Sequence, residues 1–148
     1  MALTATPYLR APMWLSNGTV DWDNGAVAIK FMLVVAAYTP DLDAHDYRDD
    51  LGANEASGTN YPAGGWAITT RTVTVDAASN ETRLDGDDVA QTALTSTWRY
   101  GVVYVARGGG AGADELLGLA DFGQTESIGP ANVTYIWNAS GVLRFTTI

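Results

Sequence analysis

Val27-Ala28-Ile29-Lys30-Phe31-Met32-Leu33-Val34-Val35-Ala36-Ala37 is the stretch that decides the fold. Val27, Ile29, Phe31, Leu33 and Val35 alternate onto one face, the two-residue period of a strand. The opposite face, Ala28, Lys30, Met32, Val34 and Ala36, is also mostly apolar. Neither face suits water, so the strand belongs where it is covered on both sides. One face should meet the domain core. The other needs the N-terminal arm of the same chain or a neighbouring subunit.

Outward from this strand the chain reads as more strands joined by turns. Upstream, Asp21-Trp22-Asp23-Asn24-Gly25 carries an Asn-Gly turn signal. Downstream, residues 39–65 form a polar interval longer than the loops expected in a compact domain, with a helical turn expected near Asp43 to Leu51. Strands are expected over Trp66–Val75, Thr82–Leu84, Val89–Leu94, Trp98–Ala106 and Leu116–Phe122, then a hairpin of Val133–Trp137 and Val142–Ile148. In Trp98–Ala106, the residues Trp98, Tyr100, Val102 and Tyr104 should share a face. Residues 108–112 read as a glycine-rich loop tip. No helical-length window carries a 3.6-residue apolar stripe. About eight short strands at regular spacing predict an all-β single domain over residues 1–148, a β-sandwich or jelly-roll-like barrel. Residues 1–22 read as an irregular N-terminal arm, favoured by Pro7 and Pro12 over the alternative of a short helix holding Tyr8, Leu9, Met13, Trp14 and Leu15.

Composition narrows the function. The chain has 148 residues, and eight bases against 17 acids give a net charge of −9. That balance argues against nucleic acid and against an anionic membrane as partners. No apolar run approaches the ~18 residues of a membrane span, and the N-terminus has no basic start followed by an apolar core. Cysteine is absent and His45 is the one histidine, which removes disulfides, thiolate metal sites and two-histidine metal sites. No G-x-S-x-G is present, and paired carboxylates for glycoside cleavage could be recognised only in three dimensions. No enzymatic activity and no cofactor are expected.

Two acidic clusters invite a calcium reading, because that hard cation collects several oxygens. Asp41, Asp43 and Asp46 begin the first. An EF-hand is excluded, since Asp46 stands where the loop needs glycine and Gly52 where it needs glutamate. The second, Asp85-Gly86-Asp87-Asp88, is equally a turn sequence. Both are better read as solvated acid, with the interval 39–65 facing solvent or a basic patch on a partner.

Trp14, Trp22, Trp66, Trp98 and Trp137 could stack on sugars if exposed, and a carbohydrate-binding β module is the alternative of another class. Trp98 and Trp137 alternate in phase with apolar neighbours and are expected in the core. In the poorly patterned arm, Tyr8, Leu9, Met13, Trp14, Leu15 and Trp22 are the partner-binding candidates, with Trp14 and Trp22 as anchors reaching outward.

A resemblance emerges from the order of these pieces. Ile29-Lys30-Phe31-Met32-Leu33 precedes Tyr38-Thr39-Pro40-Asp41, Asp43-Ala44-His45-Asp46-Tyr47 and Asn54-Glu55-Ala56-Ser57-Gly58-Thr59. Leu84-Asp85-Gly86-Asp87-Asp88-Val89, Arg99-Tyr100-Gly101-Val102-Val103-Tyr104, Asp121-Phe122-Gly123 and Trp137-Asn138-Ala139-Ser140-Gly141 follow. From about residue 20 to the C-terminus the chain resembles the small virion structural proteins of tailed bacteriophages, the capsid decoration or cement-like family. The resemblance implies a particle protein without catalytic residues, made in the host bacterial cytoplasm and carried on the capsid surface. Its implied partner is the major capsid protein, with a homotrimer on the shell. A head-fibre or tail-associated station is the alternative within that class.

Overall fold

The computed structural model describes residues 2–146. The last two residues of the expected strand Val142–Ile148 lie outside that range. The chain is all-β, built from a mixed multi-strand sheet and a second, smaller sheet, and it is not a closed barrel. The decisive stretch forms β3 (Ala28–Val34). It pairs antiparallel with β7 (Val89–Ala106) and with the short β4 (Trp66–Ala67). β7 turns through residues 107–115 into β8 (Leu116–Trp137).

The expected short strands Val89–Leu94 and Trp98–Ala106 are thus one strand, and so are Leu116–Phe122 and Val133–Trp137. Irregularities within the pair hid this. The β7–β8 register shifts at Gln91/Leu94, Leu94/Ser96, Trp98/Tyr100 and Val103/Tyr104. The shift between Trp98 and Tyr100 also corrects the expected common face. The pairing passes from Trp98–Glu126 to Tyr100–Asp121, five residues of β8 against two of β7, and across this irregularity Trp98 joins one core cluster while Tyr100, Val102 and Tyr104 join the other. The shift at Gln91/Leu94 holds Ala93 at φ 48°, its N–H bonded to Asn132 Oδ1 and its carbonyl to Asn60 Nδ2.

The N-terminal arm is not irregular. It comprises β1 (Ala2–Leu3), β2 (Thr6–Pro7) and the six-residue helix α1 (Ala11–Ser16). Pro12 sits in the first turn of α1, where its missing N–H costs nothing. β1 runs parallel to the end of β8, pairing Leu3 with Trp137, and β2 runs antiparallel to its start, pairing Thr6 with Leu119. Three residues cannot span much over ~11 Å, whereas a straight run from Leu119 to Trp137 would cover ~60 Å. β8 therefore bends back on itself, which brings its two ends together around the first core cluster. There Phe31 meets Tyr135 and Trp137 edge-on at 5.3 and 5.0 Å between ring centroids.

Both faces of β3 are covered, as its pattern required. Ile29, Phe31 and Leu33 point into the first cluster, and Met32 and Val34 into the second. The second cover comes from the same chain. Tyr8 of the arm, Tyr38 just before the long interval, and Leu42 and Leu51 within it lie over Met32, Val34, Val102 and Leu119. The interval is pinned by a 3₁₀ turn at Arg48–Leu51 and by bridges from Val34 to Glu55 and from Tyr47 to Glu115. No neighbouring subunit is needed to cover this face.

The second sheet holds β5 (Thr72–Asp76), β6 (Glu81–Asp85) and β9 (Leu143–Thr146) in the order β5-β6-β9. The expected strand Trp66–Val75 is broken between β4 and β5, where Thr70 takes φ 49° and the chain changes sheets.

Candidate functional site

An apolar recess lies between α1, the segment that follows it, and the smaller sheet. It has a volume of about 540 Å³ and is lined mainly by Pro12, Leu15, Trp22, Val73, Leu84 and Phe145, with Asp21 at its rim. The pairing explains its apolar wall. Val73 faces Leu84 and Leu143, and the row Val75–Thr82–Phe145 lies beside it on the same face. Leu84 and Leu143 are buried, while Val73 is 46% and Val75 78% exposed. The other face of the sheet is polar and internally neutralised: Arg83 pairs with Asp76 at 2.5 Å and Glu81 at 3.0 Å, and Arg144 with Glu81 at 3.3 Å. β5 is the outer strand of this sheet, so its outward backbone groups have no strand partner among the described residues.

Arg71 holds the other side of the recess in place. Its guanidinium donates to the carbonyls of Trp22 (2.5 Å), Ile68 (2.9 Å), Asn24 (2.6 Å) and Val27 (2.6 Å). Burial depresses its pKa, and the Asp23 and Asp21 carboxylates work against that. Trp22 adds a bond from Nε1 to the Asp85 carbonyl at 2.9 Å. The Asn-Gly turn read from sequence is therefore fastened to the smaller sheet, with Asp21 and Asp23 left exposed.

The partner-binding candidates divide. Tyr8, Trp14 and Trp22 are buried in the chain's own core, which corrects the reading of Trp14 and Trp22 as outward anchors. Tyr8 joins the second core cluster, and Trp14 and Trp22 join the first. Leu9 and Met13 are exposed, and Leu15 is half-buried in the recess wall. Leu9, Met13 and Leu15 are therefore the accessible members of the set. The recess escaped the sequence reading. Its visible signal was the Thr72-Val73-Thr74-Val75 alternation, which marks a strand but not whether the valine face is covered.

The acidic candidates do not converge. Asp41 accepts from the backbone N–H groups of Asp43 and Ala44, Asp43 is exposed, and Asp46 pairs with Arg10 at 3.1 Å. Asp87 accepts from the hydroxyls of Thr69 and Thr70, and Asp88 from the Trp137 N–H. Among the described residues no group of three potential ligands is placed to hold a metal ion. The buried carboxylates Asp114 and Glu115 are matched by arginine. Arg48 bonds Asp114 at 2.7 Å, and Arg107 forks onto Glu115 at 3.0 and 2.9 Å. His45 Nδ1 lies 2.7 Å from the Tyr38 hydroxyl, which lies 3.2 Å from that of Tyr8. Burial pushes both tyrosine pKa values up, so this chain of hydroxyls stays neutral.

Trp14, Trp22, Trp98 and Trp137 are buried, and Trp66 is half-buried against Tyr61 and Tyr135. No aromatic side chain is exposed among the described residues, so the open aromatic strip of a sugar platform is not formed there. Comparison of the chain with family models, with curated proteins and with solved structures finds no match.

Proposed function

We propose that the chain is a structural protein of a tailed-phage virion, a capsid decoration protein that binds the outer surface of the major capsid shell and stabilises it. The observation that carries this reading is the apolar recess beside an unpaired strand edge, a surface suited to binding rather than to turnover. The resemblance in sequence supplies the particle. Stabilisation needs no reactive group: a ligand that binds only the assembled shell shifts the equilibrium toward assembly. The recess, with the outer edge of β5 beside it, is the docking face of this proposal. A single subunit can dock, because both faces of β3 are already covered within the chain. Mass spectrometry and electron cryomicroscopy of purified virions test the proposal. The chain should appear as density on the outer shell. Absence from purified particles, or density confined to the tail, would overturn it.

A further inference from the structure

We propose that the recess and the free edge of β5 together receive an extended, basic segment of a partner protein, with apolar side chains at alternate positions. The segment adds as a fourth strand beside β5. This deepens the docking face named above and rests on that reading only for the identity of the partner.

Three observations converge on such an occupant. First, the outer edge of β5, Thr72–Asp76, has no strand partner among the described residues, and main-chain pairing to a sheet edge is an established way to hold an extended peptide. Second, Val73 and Val75 are exposed on one face at two-residue spacing, the period of the side chains of an added strand. The recess continues that face inward past Leu84 and Phe145 to Leu15 and Trp22. Third, the charge at the rim is negative and lacks a direct partner. Asp21 and Asp23 are exposed and form no ion pair among the described residues. Arg71, the nearby cation, is turned onto four carbonyls. Six other arginines are matched to carboxylates elsewhere. A lysine or arginine on the incoming segment would therefore meet acid that no ion pair among the described residues engages directly. A second copy brings the same acids to the same rim, with a net charge of −9 on each chain.

Titration calorimetry and amide chemical shifts of the full chain test this with three short peptides. One alternates valine with lysine and threonine. The second replaces lysine by glutamate. The third is the basic peptide N-methylated at alternate residues, made in both phases. The basic peptide should bind, with shifts concentrated over residues 71–76 and around Trp22, and should weaken as salt rises. The acidic peptide, at least one phase of the methylated peptide, and the variants Val75→Lys and Asp21→Asn with Asp23→Asn should each weaken binding by about tenfold or more. No binding of the basic peptide, equal binding of the acidic one, or equal binding of both methylated phases would overturn the proposal. So would a concentration-dependent dimer in sedimentation that Val75→Lys dissolves, since a second copy would then hold the edge. The two proposals fail separately. Peptide binding by a chain missing from virions removes the capsid reading and leaves this one. A chain on the shell that ignores the peptides does the reverse.

Discussion

Gly101 lies at the crossing of the two structural demands on the main sheet, and replacing it by alanine should destabilise the protein. Gly101 pairs with Leu33 of β3 on one side and with Ala120 of β8 on the other, so its backbone is held by both neighbours. A Cβ there would fall inside van der Waals contact of Phe31 Cε2 and Cζ. Phe31 is fully buried and fenced by Tyr135 and Trp137, which leaves its ring nowhere to swing. In an open strand position, Gly→Ala gains about 0.5–1 kcal/mol through the unfolded chain. Overpacking a filled core costs about 1–3 kcal/mol. The net expectation is a loss of about 1–2 kcal/mol, or a Tm lower by about 2–8 °C for a chain of this size. Urea unfolding should show a lower midpoint at an unchanged slope. Gly109→Ala, where a Cβ meets nothing within 4 Å, is the control and should move stability by less than about 0.5 kcal/mol. Combining Gly101→Ala with Phe31→Leu should cost less than the sum of the two by about 0.5 kcal/mol or more, because the smaller side chain makes room. A midpoint for Gly101→Ala at or above the parent, or strict additivity in the double variant, would refute the reasoning.

Arg71→Ala should cost about 2–4 kcal/mol, since it strips a charged donor from four carbonyls, and hydrogen exchange should quicken over residues 22–27 before it does in β3 and β7. Ala93→Gly should be neutral or stabilising by up to about 1 kcal/mol in the same urea assay, because φ 48° strains an alanine and not a glycine. Acid should weaken the fold through carboxyls held below their ordinary range. The Ala78 N–H and the Ser79 hydroxyl lower Asp76, and the Thr70 and Thr69 hydroxyls lower Asp87. For Asp50, burial would raise the pKa, but the Asp46 and Tyr47 N–H groups prevail and lower it. Each contribution is complete above the unfolded carboxyl value of about 4 and is lost as pH falls through the depressed folded value. The Tm gap between the parent and Asp87→Asn should therefore close as pH drops from about 5 to 2.5. A gap that widens in acid would reverse the assignment.

The sequence determined what is local. Alternation in Val27–Ala37 showed a strand that needs two covers, and Trp98 and Trp137 lie in the core as expected. The turn residues and the scarcity of helical periodicity fixed the all-β class, and the acidic interval already failed the EF-hand spacing. Alternation says which side chains share a face only while the register is unbroken. The irregularity between Trp98 and Tyr100 exchanged the faces, and four register shifts along the pair disguised two long strands as four short ones. Nor does a local pattern say what lies opposite. Trp14 and Trp22 read as anchors for a partner because their segment has no period. Their burial is tertiary: the bend of β8 brings Leu119 and Trp137 to the short arm that leads into α1 and Trp14, while Arg71 and the Asp85 carbonyl hold Trp22 against the smaller sheet. Likewise the valines of β5 look like any strand's valines. Only the placement of other segments against the smaller sheet, α1 and the residues after it beside Leu84, and Gly118 of β8 beside Leu143, decides that these two leucines are covered while Val73 and Val75 are not. Backbone pairing and side-chain period are set by near neighbours, but the cover of each face comes from segments tens of residues away, and their meeting is a property of the folded chain alone.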